Sequence, residues 1–198
     1  MDELYEARDS IYCYQGTDVL VNKLNIKNNK ELLFYETKIT AAKLLELRRK
    51  GITGQFDMDH ILSIHRSLFE DVYPFAGLFR REDIAKDHFR FAKWEFIENQ
   101  LRDLLTSLKQ ENDLAGLEKE PLAKRLAYYM AELNVLHPFR DGNGRTTREF
   151  IRQLALKNGY DLNLANVQTS DIYDASIKSV ANTDSLEEVL YQCLQKRN

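Results

Sequence analysis

Helix breakers are scarce in this chain and fall in few places. Three prolines and eight glycines among 198 residues leave room for long helices. Asn29 to Lys50 is predicted as one, with Leu32, Leu33, Thr37, Ala41, Leu44 and Leu45 on its inner face and Gly51 as its stop. Asp57 is suited to cap a second helix carrying Ile61, Ile64, His65, Leu68 and Phe69. Lys93 to Leu108 places Ile97, Leu101, Leu104, Leu105 and Leu108 on one face. Pro121 fits the first turn of a helix running to Leu136. Another helix opens near Gly144 and stops at Gly159, and Ser170 and Asp184 read as caps of two short final helices. The expected class is all-α, in a single domain spanning 1–198. Residues 78–92 depart from helical rhythm and alternate apolar with charged residues around Phe89, Arg90 and Phe91, as a short hairpin would. Gly51–Gly54 and Asn112–Gly116 read as loops, and Trp94 as core.

Composition narrows the function classes. A hydrophobic share of 43% supports a core, and a net charge of −3 gives no general affinity for nucleic acid or acidic membranes. Residues 140–157 are locally basic, with Arg140, Arg145, Arg148, Arg152 and Lys157 against Asp141 and Glu149. Such a patch on an acidic chain favours a small anion over a long polyanion. Cys13 and Cys193 form no CxxC pattern and fit a reduced, cytoplasmic protein. Met1 to Glu6 lacks the apolar run of a signal peptide, and no stretch approaches a membrane span. His60 and His65 stand five apart, the wrong spacing for a shared metal on a helix face. His88 falls in the hairpin and is expected at the surface.

The segment from His137 to Arg148, His-Pro-Phe-Arg-Asp-Gly-Asn-Gly-Arg-Thr-Thr-Arg, concentrates the chemistry. His137 is a base for neutral pH. Asp141 is a hard oxygen donor of the kind that holds Mg²⁺ together with substrate phosphates. Gly142, Asn143 and Gly144 form a turn into a helix N-terminus, where unpaired N–H groups and a positive dipole end receive anions. Arg145 and Arg148, at i and i+3, share one helix face and can reach successive phosphates. This is not a Walker loop. Taken singly, a turn, a helix-end histidine and a pair of exposed arginines each have ordinary structural roles. Their coincidence in twelve residues favours a polyphosphate site. Phe139 is expected to anchor the loop in the core.

This segment matches HxFx[D/E]GNGRxxR at every fixed position, and by it the chain resembles the Fic-domain proteins. Two further stretches match: Ile64-His65-Arg66 with Leu68-Phe69, Asp71, Tyr73 and Phe75-Ala76-Gly77; and Tyr14-Gln15-Gly16-Thr17 with Asn22-Lys23 and Ile26. The resemblance implies a Fic fold, a helical bundle with a β-hairpin flap at about 78–92. It implies a protein adenylyltransferase that moves AMP from ATP to a hydroxyl of a target protein. His137 would be the base, Asp141 the Mg²⁺ ligand, Gly142, Asn143 and Gly144 the anion hole, and Arg145 and Arg148 the outer phosphate ligands. Lys86 and Phe91 are the candidates for docking the target on the flap. The subgroup resembled is that of bacterial Fic toxins and type IV secretion effectors. Its likeness implies type II topoisomerase subunits as targets and a cytoplasmic bacterial setting, with secretion as an effector left open.

Many Fic proteins carry an inhibitory [S/T]xxxE[G/N] helix. Thr183 to Glu187 has the spacing, but Glu188 follows in place of Gly or Asn; Ser107 to Asn112 is a full match in an unexpected place and reads as coincidence. A separate small antitoxin is therefore the expected inhibitor. Three other readings stay open: a Fic domain of a secreted effector with host targets, a nucleotide-binding regulator without turnover, and a helical nucleic-acid regulator using the 140–157 patch.

Overall fold

The computed structural model describes residues 10–50, 54–86 and 89–197. Helices dominate: α1 (Asn29–Lys50), α2 (Met58–Phe69), α3 (Ile97–Gln110), α4 (Lys119–Leu136), α5 (Asn143–Lys157), α6 (Thr169–Lys178) and α7 (Asp184–Cys193). Two small antiparallel sheets complete them. β1 (Ala85–Lys86) pairs with β2 (Phe89–Arg90), Ala85 opposite Arg90. β3 (Tyr160–Leu162) pairs with β4 (Leu194–Lys196), Tyr160 opposite Lys196.

Helix α4 lies at the centre, packed by α5 and α7, and α2 bridges α1 and α5. Small residues let neighbours close on α4: Ala123, Ala127 and Ala131 are buried beside Leu122, Leu126 and Leu133. Asp57 caps α2 as its side chain implies, accepting from the His60 N–H at 3.0 Å. Five apolar positions of α3 are buried as their spacing requires: Ile97, Leu101, Leu104, Leu105 and Leu108. The irregular N-terminal stretch is stitched by Asn22. Its amide donates to the carbonyls of Leu20 (2.8 Å) and Ile26 (2.7 Å) and accepts from the Ile26 N–H (3.0 Å).

Several expectations are corrected. Helix α1 buries Leu32, Glu36, Thr40 and Leu47, whereas Leu33 and Leu45 face water, Leu45 at 70% exposure. The inner face of α1 is partly polar, so an apolar periodicity misreads it. Trp94 is not core: it begins a 3-10 turn before α3 and is 39% exposed. Helix α6 starts after Gln168, with Ser170 inside its first turn, and Asp184 is the first residue of α7 rather than its cap. Among the described residues, strand pairing in the 78–92 segment joins Ala85–Lys86 to Phe89–Arg90 and is extended by the Phe91 N–H on the Ile84 carbonyl at 3.3 Å. The β3–β4 pair was not anticipated. Gly51, His88 and most of the Gly51–Gly54 loop lie outside the described residues.

Candidate active site

The loop between α4 and α5 is built by local chemistry. Pro138 prevents α4 from continuing, and His137 takes the left-handed conformation that closes it (φ 48°, ψ 61°), its N–H bonded to the Leu133 carbonyl at 3.0 Å. Holding a residue with a side chain there costs about 1–2 kcal/mol, so the surroundings must enforce it. Asn143 does part of this. Its side chain accepts from the Phe139 N–H and donates to the Phe139 carbonyl, both at 2.8 Å. Gly142 caps α5 at φ +78°, and a Cβ there would lie 2.3 Å from the Phe69 ring. Only glycine meets both conditions.

His65 supports the loop from below. It is fully buried and stacks on Phe139 with ring centroids 3.8 Å apart. Its Nδ1 accepts from the Gly77 N–H (2.8 Å), so its Nε2 carries the proton and donates to the Asp141 carbonyl (2.9 Å). Burial pushes its pKa down to about 3, against a smaller upward effect of the Asp141 carbonyl. His65 is thus a neutral support for the loop, neither a metal ligand nor an acid.

The groups suited to chemistry line this loop. The Nδ1–H of His137 donates to the Asn134 carbonyl at 3.1 Å, which leaves the lone pair on Nε2. The Phe91 ring stacks on the His137 imidazole with centroids 3.8 Å apart. Asp141 accepts from the Gly142 N–H and lies 3.5 Å from the Arg145 guanidinium. Arg145, with its side chain 31% exposed, sits against α1: it pairs with buried Glu36, donates to the Thr40 hydroxyl (3.2 Å) and lies over the Phe69 ring. Glu36 in turn accepts from the Tyr73 hydroxyl. Arg148 is half-buried one turn further along α5. The first N–H groups of an α-helix have no intrahelical acceptor, a feature that suits the α5 N-terminus to an anion.

The structure therefore brings His137, Asp141, Gly142, Asn143, Gly144, Arg145 and Arg148 onto one loop and the first turns of one helix. Asn143 offers only its backbone to a ligand, because its side chain is committed to Phe139. Of the flap candidates, Phe91 touches His137, whereas Lys86 lies over the Tyr173 ring of α6 at 5.2 Å. Glu36, Thr40 and Tyr73 were missed as neighbours of Arg145. Glu36 carried a faint signal, a carboxylate on the face of α1 that also presents Leu32 and Thr40.

The basic stretch 140–157 is not a continuous patch. Arg140 is buried and pairs with Glu82 (2.9 Å), Arg152 with Glu149 (2.7 Å) and Lys157 with Asp113. The nucleic-acid reading loses its surface. The complete Ser107–Asn112 motif has a structural use: Glu111 accepts from Arg125 Nε at 2.7 Å and from the Tyr129 hydroxyl at 2.8 Å.

No helix among the described residues is long and apolar enough to cross a membrane. Comparison with known proteins places the chain. It is 41% identical over 186 residues to the protein adenylyltransferase VbhT of Bartonella schoenbuchensis, covering 94% of this chain but only 39% of that protein. It is 37% identical over 167 residues to the Fic protein of Escherichia coli K12, covering 84% of this chain and 82% of the relative. The crystal structure of the N-terminal Fic domain of a VirB-translocated Bep effector from Bartonella quintana, with bound ADP, superposes with a TM-score of 0.88 at 26% identity, covering 94% and 95% of the two chains. Residues 55–155, which include the whole loop described above, match the Fic/DOC family. The chain belongs to the Fic/DOC family and has its mostly helical fold.

Proposed function

We propose that this chain is a protein adenylyltransferase that transfers AMP from ATP to a hydroxyl side chain of a target protein. The observation that carries this reading is His137. The Asn134 carbonyl fixes its tautomer, so Nε2 is the basic nitrogen, and the ring stands at the head of a loop that ends in an anion-binding helix N-terminus. In the reaction, Nε2 takes the proton of the target hydroxyl as its oxygen bonds to the α-phosphorus. The bond from that phosphorus to the bridging oxygen of the β-phosphate breaks, and pyrophosphate leaves. A positioned base is worth about 10²–10⁴-fold, and charge stabilisation by the α5 amides, Arg145 and Arg148 supplies much of the remainder.

Asp141 is suited to hold Mg²⁺ that arrives with the nucleotide. A single carboxylate fits an ion that is shared with substrate phosphates and water. When bound, the ion would neutralise phosphate charge. The ADP in the Bartonella quintana structure and the activity named for VbhT support the nucleotide and the reaction.

The β1–β2 hairpin would seat the target segment by strand addition beside His137, with Phe91 between them. Type II topoisomerase subunits are the proposed targets and a separate small antitoxin the proposed inhibitor, within a bacterial cytoplasm. Glu111 is held by Arg125, which favours a structural use of the Ser107–Asn112 match over an inhibitory one. The test is incubation with α-labelled ATP, Mg²⁺ and bacterial lysate. Label should enter a discrete protein with the native chain and not with His137→Ala, which should keep its fold and nucleotide affinity. Equal labelling by His137→Ala would remove the base from the mechanism.

A further inference from the structure

Arg80 is the largest fully buried side chain among the described residues, at 1% exposure, and none of the motifs above includes it. Four of its acceptors are main-chain carbonyls, and these fall into two groups. On the catalytic loop, its guanidinium donates to the carbonyls of His137 (Nε, 2.8 Å) and Leu136 (3.3 Å). On the flap, it donates to the carbonyls of Glu82 (2.7 Å) and Ala92, which bracket the β1–β2 hairpin on either side. The backbone repeats the connection. The Arg80 N–H bonds to the Pro138 carbonyl (2.9 Å), and the Ala92 N–H bonds to the Val135 carbonyl (3.1 Å).

A buried guanidinium needs compensation, and here much of it comes from backbone dipoles. Leu136 and His137 end α4, where carbonyls point outward and a cation is favoured. The planar fork of arginine directs its N–H groups along several fixed directions; a lysine ammonium is a compact point charge on a flexible stem. The residue therefore fastens two segments that are 43 or more positions apart in sequence, the flap at 82–92 and the loop from 135.

We propose that Arg80 is a positioning residue that holds the His137 loop and the flap in a single register, so that the base and the strand receiving the target move as one body. This rests on the reading of His137 as the base, but the coupling itself can be tested without activity.

The experiment compares wild type, Arg80→Met and Arg80→Lys by hydrogen-exchange mass spectrometry, under conditions where circular dichroism gives all three the same helix content. In Arg80→Met, peptides covering 82–92 and 133–140 are expected to exchange together about 10-fold or more faster, with α3 unchanged. Arg80→Lys should lie between. If Arg80→Met does not fold, the joint loosening of both segments in Arg80→Lys decides. Labelling of lysate protein should fall in the same order, with AMPPNP affinity by calorimetry held within about twofold. Loosening of one segment alone, retained protection of both, or a rise spread through the whole chain in Arg80→Lys would overturn the proposal. If His137→Ala transferred AMP normally, the reading of the base would fail, and the exchange result would still decide the coupling.

Discussion

Mild acid should loosen this fold through His65. In the native protein its Nδ1 accepts the Gly77 N–H, and burial holds its pKa at about 3 against an ordinary value of 6.5. Between those values the unfolded chain binds a proton that the native chain refuses. Stability therefore rises with pH across the window and falls as pH drops below about 6.5. Each unit of difference is worth about 1.4 kcal/mol, so moving from pH 7.5 to 5.0 should cost about 2 kcal/mol from this one ring. Urea unfolding followed by circular dichroism at both pH values, on wild type and His65→Gln, isolates the effect. Burial also lowers the pKa of His60, in the same direction, but this is common to both proteins and subtracts. Remaining at or above pH 5.0 keeps Glu111, Asp113 and Glu149 charged, since the pKa of each is lowered in the fold. The expected result is a loss about 2 kcal/mol larger in wild type than in His65→Gln. Equal losses would show that His65 accepts a proton in the native state, and the tautomer assigned to it would be wrong.

Arg148→Ala should weaken ATP binding by about 10- to 100-fold, the loss of a charged hydrogen bond; unchanged affinity in calorimetry would remove Arg148 as a phosphate ligand. Gly142→Ala should lower the urea midpoint and nucleotide affinity together, because its Cβ would overlap the Phe69 ring; a wild-type midpoint would contradict the close approach. Glu36→Gln should destabilise by about 1–3 kcal/mol, less than for a fully buried pair because Arg145 remains partly solvated. Wild-type stability in that variant would show that the pair contributes nothing.

Much of the helical framework was legible because the interior of α3 is apolar at helical spacing and α2 begins with a strong cap. Helix α1 was misread for the converse reason. It turns Glu36 and Thr40 inward to meet Arg145, and a face chosen for an ion pair carries no apolar period. Strands β3 and β4 are three residues each and pair across more than thirty positions, too short to show alternation. The site motif stood out as a run of residue types, but its supports did not. Arg80 looks like any surface arginine in sequence, since four of its partners are main-chain carbonyls, which every residue possesses. The charges of 140–157 seemed to form a patch only because sequence order hides the different directions in which a helix turns successive side chains.

The two hydrogen bonds between Asn143 and Phe139 tie a five-residue knot in the chain. A knot drawn tight beforehand has little slack left for a guest to take up. An arriving nucleotide would therefore meet a finished cradle, and its grip would depend on charge and fit with little of the chain left to quieten.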